Sequence, residues 1–571
     1  MDHATDKTYL FEQMPVPQAV RRQILPAIAS QMVLLLYNLA DTYFVGLLNQ
    51  PPQTAAVSVA YTITVLMTAI ANLFAVGGAS CMARAMGRHD AEGARHIAGI
   101  SFWWCLLAAV LFFGVFALLA SPLLHLCGAT AETYAPALRY ARWVVIWGGP
   151  CAIVNILLAN LMRAEGSAAL ASAGVSLGGV INIALDPFFV LPQFLGLGAE
   201  GAGLATAISN GIGTVFLLAC IFRRRRSSTV SLRPGSLRCT AKYMGGILKI
   251  GFPSCAQYLL TVVAVGALMK FMSAYDTDAV AALGIVKKLD MLPLYFSIGV
   301  STGILPLLAY NYASGDRDRR RRVFRLGCGV SAAFSLLCVL VYELLAPVLV
   351  GLFIDTPATI AYGAAFLRIM VLAMPMMAVC HPMITQFQAM GRVKESLICS
   401  VLRKGALDIP LLFLLDGLIP MYGCTMVQPI VDCVSMLAAL WLCRRIVREE
   451  QAIKSPSGGK TNHCGIVFSF SPPYNSCTVE FFYDSRRKED ESLNRRYLTD
   501  VTPLPDHILQ VDFVSGSRLL LDMKPYLDKI RFRPLADAQV WSSAVTNGIF
   551  VRFGDVELSH DEILSMAEQE L

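Results

Sequence analysis

Twelve long apolar stretches are the feature that most limits what this chain can fold into. They lie between Arg22 and Val447, and each is about 20 residues long, which a helix needs to cross about 30 Å of hydrocarbon. The chain is 56% hydrophobic and only 15% charged, whereas a soluble protein has about 25% charged residues. The residues up to about Gln23 are polar and lack the apolar core of a signal peptide. We therefore predict an integral membrane protein whose first apolar stretch is a true membrane span.

Basic residues fall on one side of the predicted membrane. The six loops assigned to that side hold 23 Lys and Arg residues, and the six on the other side hold none. The first set is 82–97, 162–169, 222–242, 311–325, 391–396 and 443–454; the second is 49–54, 121–138, 191–200, 274–280, 354–361 and 417–423. Since basic loops stay in the cytoplasm, we expect a multi-pass protein of the plasma membrane with both termini in the cytoplasm.

The membrane part repeats itself. The sequence GRHD at 87–90 corresponds to GDRD at 315–318, and LDP at 185–187 corresponds to LDIP at 407–410. Six spans separate the copies, so both halves enter the membrane from the same side, as in a parallel repeat. The predicted fold is all-α, with twelve transmembrane helices in two six-helix lobes and a small α+β module after them. The predicted divisions are an N-terminal segment at 1–21, lobes at 22–228 and 229–450, a flexible linker at 451–500 and the module at 501–571.

The C-terminal module has the pattern of a small β domain. Alternating apolar residues predict strands at 509–513, 519–521 and 549–553, and a serine begins a predicted helix at 559–566. The module has 11 acidic and 6 basic residues, a net charge of −5, which argues against nucleic-acid binding.

Two aspartates lie inside the apolar stretches. Asp41 is in the stretch at 24–48, and Asp186 is in the stretch at 171–191. A carboxylate at membrane depth is disfavoured by roughly 2.5–3.5 kcal/mol, and such residues usually handle protons, ions or substrates. The structural alternative is a polar contact that only ties two helices together.

Other polar residues share a helical face with each aspartate. Tyr37 and Asn38 precede Asp41 by four and three positions, and Asn182 precedes Asp186 by four. If the two spans are neighbours, their faces form a pocket in which both carboxylates cannot stay charged, so that one takes a proton or the pair binds a cation. The alternative is that Asn38 or Asn182 only caps a kink.

Several further residues are weaker candidates. Tyr37, Asn38, Asn155 and Asn160 are predicted to line a substrate cavity, although the two asparagines of the fourth span serve equally well in helix–helix hydrogen bonds. Pro26 and Pro187 are candidate hinges, because proline removes a backbone hydrogen bond; ordinary membrane helices also tolerate proline.

Charged residues in the second lobe are predicted to neutralise each other. Lys287 lies one turn before Asp290, and Lys404 lies one turn before Asp408. Both pairs are interpreted as structural.

Eight motifs in order resemble the multidrug and toxic compound extrusion (MATE) family over roughly residues 15–447. They are DTYFVG at 41–46, ARAMG at 83–87, RAEG at 163–166, NIALDP at 182–187, GAEGAGLAT at 198–206, KIGFP at 249–253, PLLAYNYASG at 306–315 and QPIVD at 428–432. The resemblance implies a V-shaped pair of six-helix lobes that exports organic cations in exchange for H⁺ or Na⁺. It also implies a prokaryotic branch with an aspartate in span 1.

The resemblance assigns roles to individual residues. Asp41, Asn182 and Asp186 match the cation-site positions of that branch, with Thr206 as a further match, and the first three would hold Na⁺ if the coupling ion is sodium. Another branch places its coupling carboxylates in spans 7 and 10. The corresponding stretches here, 246–273 and 364–390, contain no Asp or Glu, which favours coupling through the first lobe.

The leading functional hypothesis is a secondary-active exporter of small, cationic, amphipathic organic compounds. The alternatives are a flippase for a lipid-linked precursor and a membrane-anchored regulator that acts through its C-terminal module. That module resembles a small prokaryotic β-rich domain family of unknown function. We expect a monomer in the lipid bilayer, without nucleic-acid partner, cofactor, resident metal or enzymatic activity.

Overall fold

A computed structural model describes residues 9–48 and 50–452, and in the C-terminal part residues 498–514, 518–528, 531–546, 550–559, 562–563 and 566. Contacts between residues divide the chain into two compact units, Met1–Glu450 and Gln451–Leu571. Most of the predicted linker at 451–500 lies outside the described residues.

Fifteen helices build the first unit. In chain order they are α1 (Val16–Gly46), α2 (Pro51–Gly87), α3 (Ala91–Leu126), α4 (Ala131–Ala141), α5 (Gly149–Ala164), α6 (Ala168–Val190), α7 (Ala199–Arg223), α8 (Thr240–Met272), α9 (Thr277–Ala313), α10 (Arg317–Gly351), α11 (Pro357–Val371), α12 (Met374–Met390), α13 (Val393–Val401), α14 (Asp408–Leu418) and α15 (Tyr422–Ala452). In the described part of the chain, 9 of these helices are long and apolar enough to cross a membrane alone.

Two further candidate spans in the described residues are bent helix pairs, and another helix pair is interrupted. A π-helical turn at Arg142–Trp147 joins α4 to α5 with a 49° bend, and α11 meets α12 at 45°. Between α13 and α14 the backbone leaves the helix at Leu402–Ala406, where Gly405 has φ 142°, a conformation that only glycine adopts without strain. With each of the two bent pairs counted as one span, the described part of the chain has up to 11 spans by length and composition, and the interrupted pair α13 and α14 corresponds to the remaining predicted span.

The two lobes are joined near the end of the helices that carries the arginine-rich loops, which we call the basic end. The largest buried apolar cluster fills the N-terminal lobe and continues at this end into Ile247, Ile304 and Tyr310 of the second lobe. A separate cluster, which includes Met272 and Val431, fills the other half of the second lobe. The lobes therefore share a core at the basic end and have separate cores away from it.

Glycines make the contact between lobes close. A Cβ atom on Gly299 of α9 would meet Ile28 Cα of α1 at 2.7 Å, and one on Gly303 would meet Ile24 Cα at 2.8 Å. A Cβ atom on Gly251 of α8 would likewise overlap the carbonyl oxygen of Leu73 in α2. These helix backbones touch without side chains between them, which seals the basic end.

The N-terminal residues also lie at the basic end. The segment Tyr9–Gln13 precedes α1, and Phe11 in it stacks on Tyr310 with ring centroids 4.7 Å apart. The Tyr310 hydroxyl donates to Glu12 at 2.7 Å. Helix α1 then begins at Val16, earlier than the predicted lobe boundary at residue 22, because Pro17 in its first turn is preorganised for a helix start.

The described residues of the second unit form two small antiparallel sheets with short helical turns. Strands β1 (Leu498–Leu504), β2 (Ile508–Phe513) and β3 (Arg518–Asp522) form one sheet, and β4 (Val545–Thr546), β5 (Phe550–Phe553) and β6 (Val556–Ser559) form the other. A four-residue helix, α16 (Ala538–Trp541), precedes β4. The predicted first hairpin corresponds to β2 and β3, whose turn lies outside the described residues, and the predicted third strand belongs to the second sheet.

Alanine in place of Gly251 should destabilise the sealed basic end, because the added methyl group overlaps the Leu73 carbonyl of the facing helix. We expect a loss of roughly 1–3 kcal/mol, as for other overpacked cores, seen as a lower thermal unfolding midpoint of the purified protein. Gly266→Ala on the same helix is the control, since a Cβ there meets nothing within 4 Å. Equal midpoints for the two variants would contradict the close-packed interface.

Candidate cation-coupling site

Four polar side chains from three helices meet inside the N-terminal lobe. Asp41 comes from α1, Asn182 and Asp186 come from α6, and Thr206 comes from α7. All four are buried, with exposed fractions of 5%, 1%, 0% and 7% in that order. The structure therefore brings together the four residues that the sequence assigns to cation coupling, although their role stays a prediction.

The side chain of Asn182, on α6, forms hydrogen bonds to residues of α1 and α7. In the orientation that satisfies both ends of its amide, the nitrogen donates to Asp41 Oδ1 at 3.2 Å and the oxygen accepts from the Thr206 backbone N–H at 3.3 Å. Through this amide the side chain of Asp41 is linked to both α6 and α7. The position of one carboxylate of the site is thereby set by three helices.

Asp186 is the unusual member of the group. It is fully buried, and neither of its carboxylate oxygens accepts a hydrogen bond from a described residue. Its carboxyl group faces that of Asp41, and neither acid forms an ion pair with a described lysine or arginine. Because a buried carboxylate without a partner is strongly disfavoured, this pair needs a proton or a bound cation between its members.

Two tyrosines border the acids. Tyr37, predicted from sequence to line a cavity, lies one helical turn from Asp41 and contacts the face of α6 near Gly179. Tyr140 of α4 is 5% exposed and lies near Thr206 and the two acids. The sequence analysis missed Tyr140, because nothing in its local pattern shows that α4 packs against this site.

Of the other predicted site residues, Asn38 and Asn160 bond to their own helices, and Asn155 contacts a neighbouring one. Asn38 donates to the Leu34 carbonyl at 2.7 Å, and Asn160 donates to the Ile156 carbonyl at 2.8 Å. Asn155 is buried, and its amide lies against the backbone of α7 at Gly213.

Neither predicted hinge interrupts its helix. Pro26 lies within α1, and Pro187 lies within α6. Both helices continue past their proline, so the hinge role of these residues stays a prediction.

An apolar cavity of about 440 Å³ lies between the two lobes, within the usual size range of small-molecule sites. The N-terminal lobe contributes most of its lining and the second lobe contributes two residues: Leu36, Leu39, Ala40, Thr42, Tyr43, Phe44, Ile183, Lys288 and Phe353. Tyr37 and Asn38 are not part of this lining, although their neighbours on α1 are.

The second lobe contains a buried charged network of its own. Arg403 donates to Asp432 at 3.1 Å, and its guanidinium group also contacts His381 Nε2 at 2.7 Å. Gln428 donates to the second oxygen of Asp432 at 2.7 Å. These contacts link the break between α13 and α14 to α12 and α15.

Neither of the two charge pairs predicted for this lobe forms a salt bridge in the described structure, although each lysine lies close enough to its aspartate to interact with it electrostatically. Lys404 donates to Gln428 Oε1 at 2.7 Å, and Asp408 accepts from the Gly405 backbone N–H at 2.9 Å. Lys287 and Asp290 form no ion pair in the described structure. The helix break explains why Lys404 and Asp408 are not in direct contact, because the backbone between them leaves the helix at Lys404 and Gly405.

Paired acids at membrane depth and a cavity between two helix bundles are features of membrane transporters. The chain matches the MatE family profile over residues 26–188 and 253–414, more than half of its length. The chain belongs to the MatE family and is a MATE transporter.

Individual relatives agree with this assignment. The multidrug export protein MepA of Staphylococcus saprophyticus is 25% identical over 435 residues, which are 76% of this chain and 95% of that protein. MepA of Staphylococcus aureus strain N315 is 24% identical over the same shares of both chains.

Solved structures share the fold. An outward-facing multidrug resistance MATE transporter superposes with a TM-score of 0.73 at 23% identity and covers 79% of this chain and 100% of its own. A mutant of the Vibrio cholerae MATE transporter VcmN superposes with a TM-score of 0.70 at 21% identity, over 78% of this chain and 98% of its own. The twelve-span, two-lobe architecture is thereby confirmed.

Removing the charge of Asp432 should strongly destabilise the second lobe, because Asp432→Asn leaves the Arg403 guanidinium buried without its carboxylate. Their side chains are only 1% and 3% exposed, and breaking such a pair costs about 3–5 kcal/mol. Thermal unfolding of the purified protein measures the loss.

The control for this experiment is Glu343→Gln, which breaks an ion pair with Arg368 in the same lobe. That pair is half exposed with a 3.9 Å separation, so the change should cost less than about 1 kcal/mol. An Asp432→Asn variant as stable as the control would show that the network does not stabilise the lobe.

Proposed function

We propose that this protein is an antiporter that exports small organic compounds in exchange for H⁺ or Na⁺, and that Asp41 and Asp186 bind the incoming ion. Asn182 and Thr206 position the pair in this proposal. The support comes from the acid pair itself, from the cavity between the lobes and from membership of a family of multidrug exporters.

The observation that carries the proposal is the unpartnered carboxyl group of Asp186 beside Asp41. With the site empty of cations, two charges repel each other in a poorly solvated interior, and a bound proton or sodium ion removes that repulsion. The free energy of the lobe therefore depends on whether the ion is present. An ion gradient can do work on the protein through this dependence.

The contacts between the lobes suggest which part of the structure rearranges when the ion binds. In the described conformation the glycine contacts close the basic end, whereas the cavity lies where the lobes have separate cores. Alternating access then requires these contacts to open while the far ends of the lobes close. Substrate would enter the cavity in one conformation and leave in the other.

The proposal also includes the orientation of the protein in the membrane. By the positive-inside rule the arginine-rich loops support a cytoplasmic position of the basic end, and in this proposal the described conformation is closed to the cytoplasm. Both termini are then cytoplasmic, the protein acts as a monomer in the plasma membrane, and the C-terminal unit is not needed for transport.

Asp41→Asn should abolish gradient-driven export, because the amide removes the charge that an incoming cation neutralises. Dye efflux from proteoliposomes, measured under a pH gradient and separately under a sodium gradient, should fall at least about tenfold with whichever ion drives the wild type. The ion that drives wild-type efflux identifies the coupling ion.

The matched control is Asp355→Asn, which makes the same chemical change at an exposed aspartate between α10 and α11. Its efflux should equal that of the wild type. Undiminished efflux by Asp41→Asn at equal protein content would remove the coupling role of Asp41.

A further inference from the structure

We infer that Lys288 binds an anionic group of the exported compound, so that this transporter takes amphipathic organic acids or zwitterions rather than simple organic cations. The inference rests on the proposed export function and names the substrate class of the cavity between the lobes. It departs from the cationic substrates that the sequence resemblance implies.

The lining of the cavity has a single charged residue. Of its 9 lining residues, Lys288 alone carries a charge, and it comes from α9 of the second lobe. Leu36, Tyr43, Phe44 and Phe353 provide apolar and aromatic walls. A ligand with an aromatic or alicyclic body and one anionic group complements this lining.

The ammonium group of Lys288 has no partner in the described structure. No described side chain or carbonyl forms a hydrogen bond or an ion pair with it, unlike Lys404, which donates to Gln428. A half-buried ammonium group beside apolar walls lacks part of its solvation, and an anion compensates for this loss through a charge-assisted hydrogen bond.

The acids of the N-terminal lobe face away from this cavity. Ala40 and Thr42 line it, whereas Asp41, between them in sequence, turns into the lobe and accepts from Asn182. Asp186 is fully buried beside Asp41. The acid pair is therefore placed for a small inorganic cation, and the charge that a substrate meets in the cavity is positive.

The sign of that charge decides the substrate class. Charges close together in a setting of lower dielectric than bulk water interact strongly, so the ammonium group of Lys288 attracts a carboxylate and repels an organic cation. Selection by charge therefore requires no further residue in the cavity.

A pair of rhodamine dyes tests this inference, one a free carboxylic acid and the other its methyl ester. Their affinities for the purified full-length protein are measured by fluorescence anisotropy without any ion gradient. The wild type should bind the acid more tightly than the ester. Lys288→Gln should weaken binding of the acid about tenfold and that of the ester less than twofold, because only the acid offers a charged acceptor.

Two further variants serve as controls. Lys288→Arg keeps the positive charge and should keep the preference for the acid. Lys270→Gln makes the same chemical change at an exposed lysine of α8 and should bind both dyes as the wild type does. Ester binding by Lys288→Gln reports at the same time that the variant is folded.

Three results would overturn the inference: a wild type that binds the ester as tightly as the acid, a wild type that binds neither dye, or equal losses for both dyes in Lys288→Gln.

Binding is measured without a gradient, so the outcome is independent of ion coupling. Loss of transport in Asp41→Asn with an intact acid preference supports both proposals. An intact acid preference with undiminished transport would refute the coupling role alone.

Discussion

Two carboxyl groups without a cationic partner, held at membrane depth, are the constraint on which the rest of this structure depends. Asp41 and Asp186 lie in different helices and meet only because α1 packs against α6. Burial makes the charged pair unfavourable, and a proton or cation relieves it. In the proposed mechanism this site couples ion binding to helix packing, since each state of the acids would favour a different arrangement of the helices that carry them.

The second lobe treats the corresponding position differently. Asp186 and Asp408 occupy equivalent places in the repeat, yet α6 runs continuously past Asp186, whereas the chain breaks just before Asp408. There the carboxyl group accepts the Gly405 N–H that the break exposes, and Arg403 neutralises Asp432 nearby. In the second lobe these aspartates therefore have partners within the lobe. In the first lobe Asp41 and Asp186 have no cationic partner among the described residues, although the two lobes share one repeated sequence pattern.

Sequence reasoning succeeded where local pattern decides the outcome. The apolar stretches gave the spans, and the one-turn spacing of Asn182 and Asp186 placed both on the inner face of α6. It failed where distant segments meet. Lys404 pairs with Gln428, 24 positions along the chain, and Tyr140 lies near Thr206 of another helix, neither of which spacing reveals. The break at Gly405 was missed because glycine is common in membrane helices, so its φ of 142° leaves no mark in the pattern.

The stoichiometry of ion release tests the central claim most directly. Purified protein is equilibrated in weakly buffered solution, saturated with a transported dye, and the protons or sodium ions released per chain are counted. If the dye and the ion favour opposite states of the acid pair, the wild type releases about one ion per chain and Asp186→Asn releases none. Equal release by both proteins would show that the coupling ion binds elsewhere.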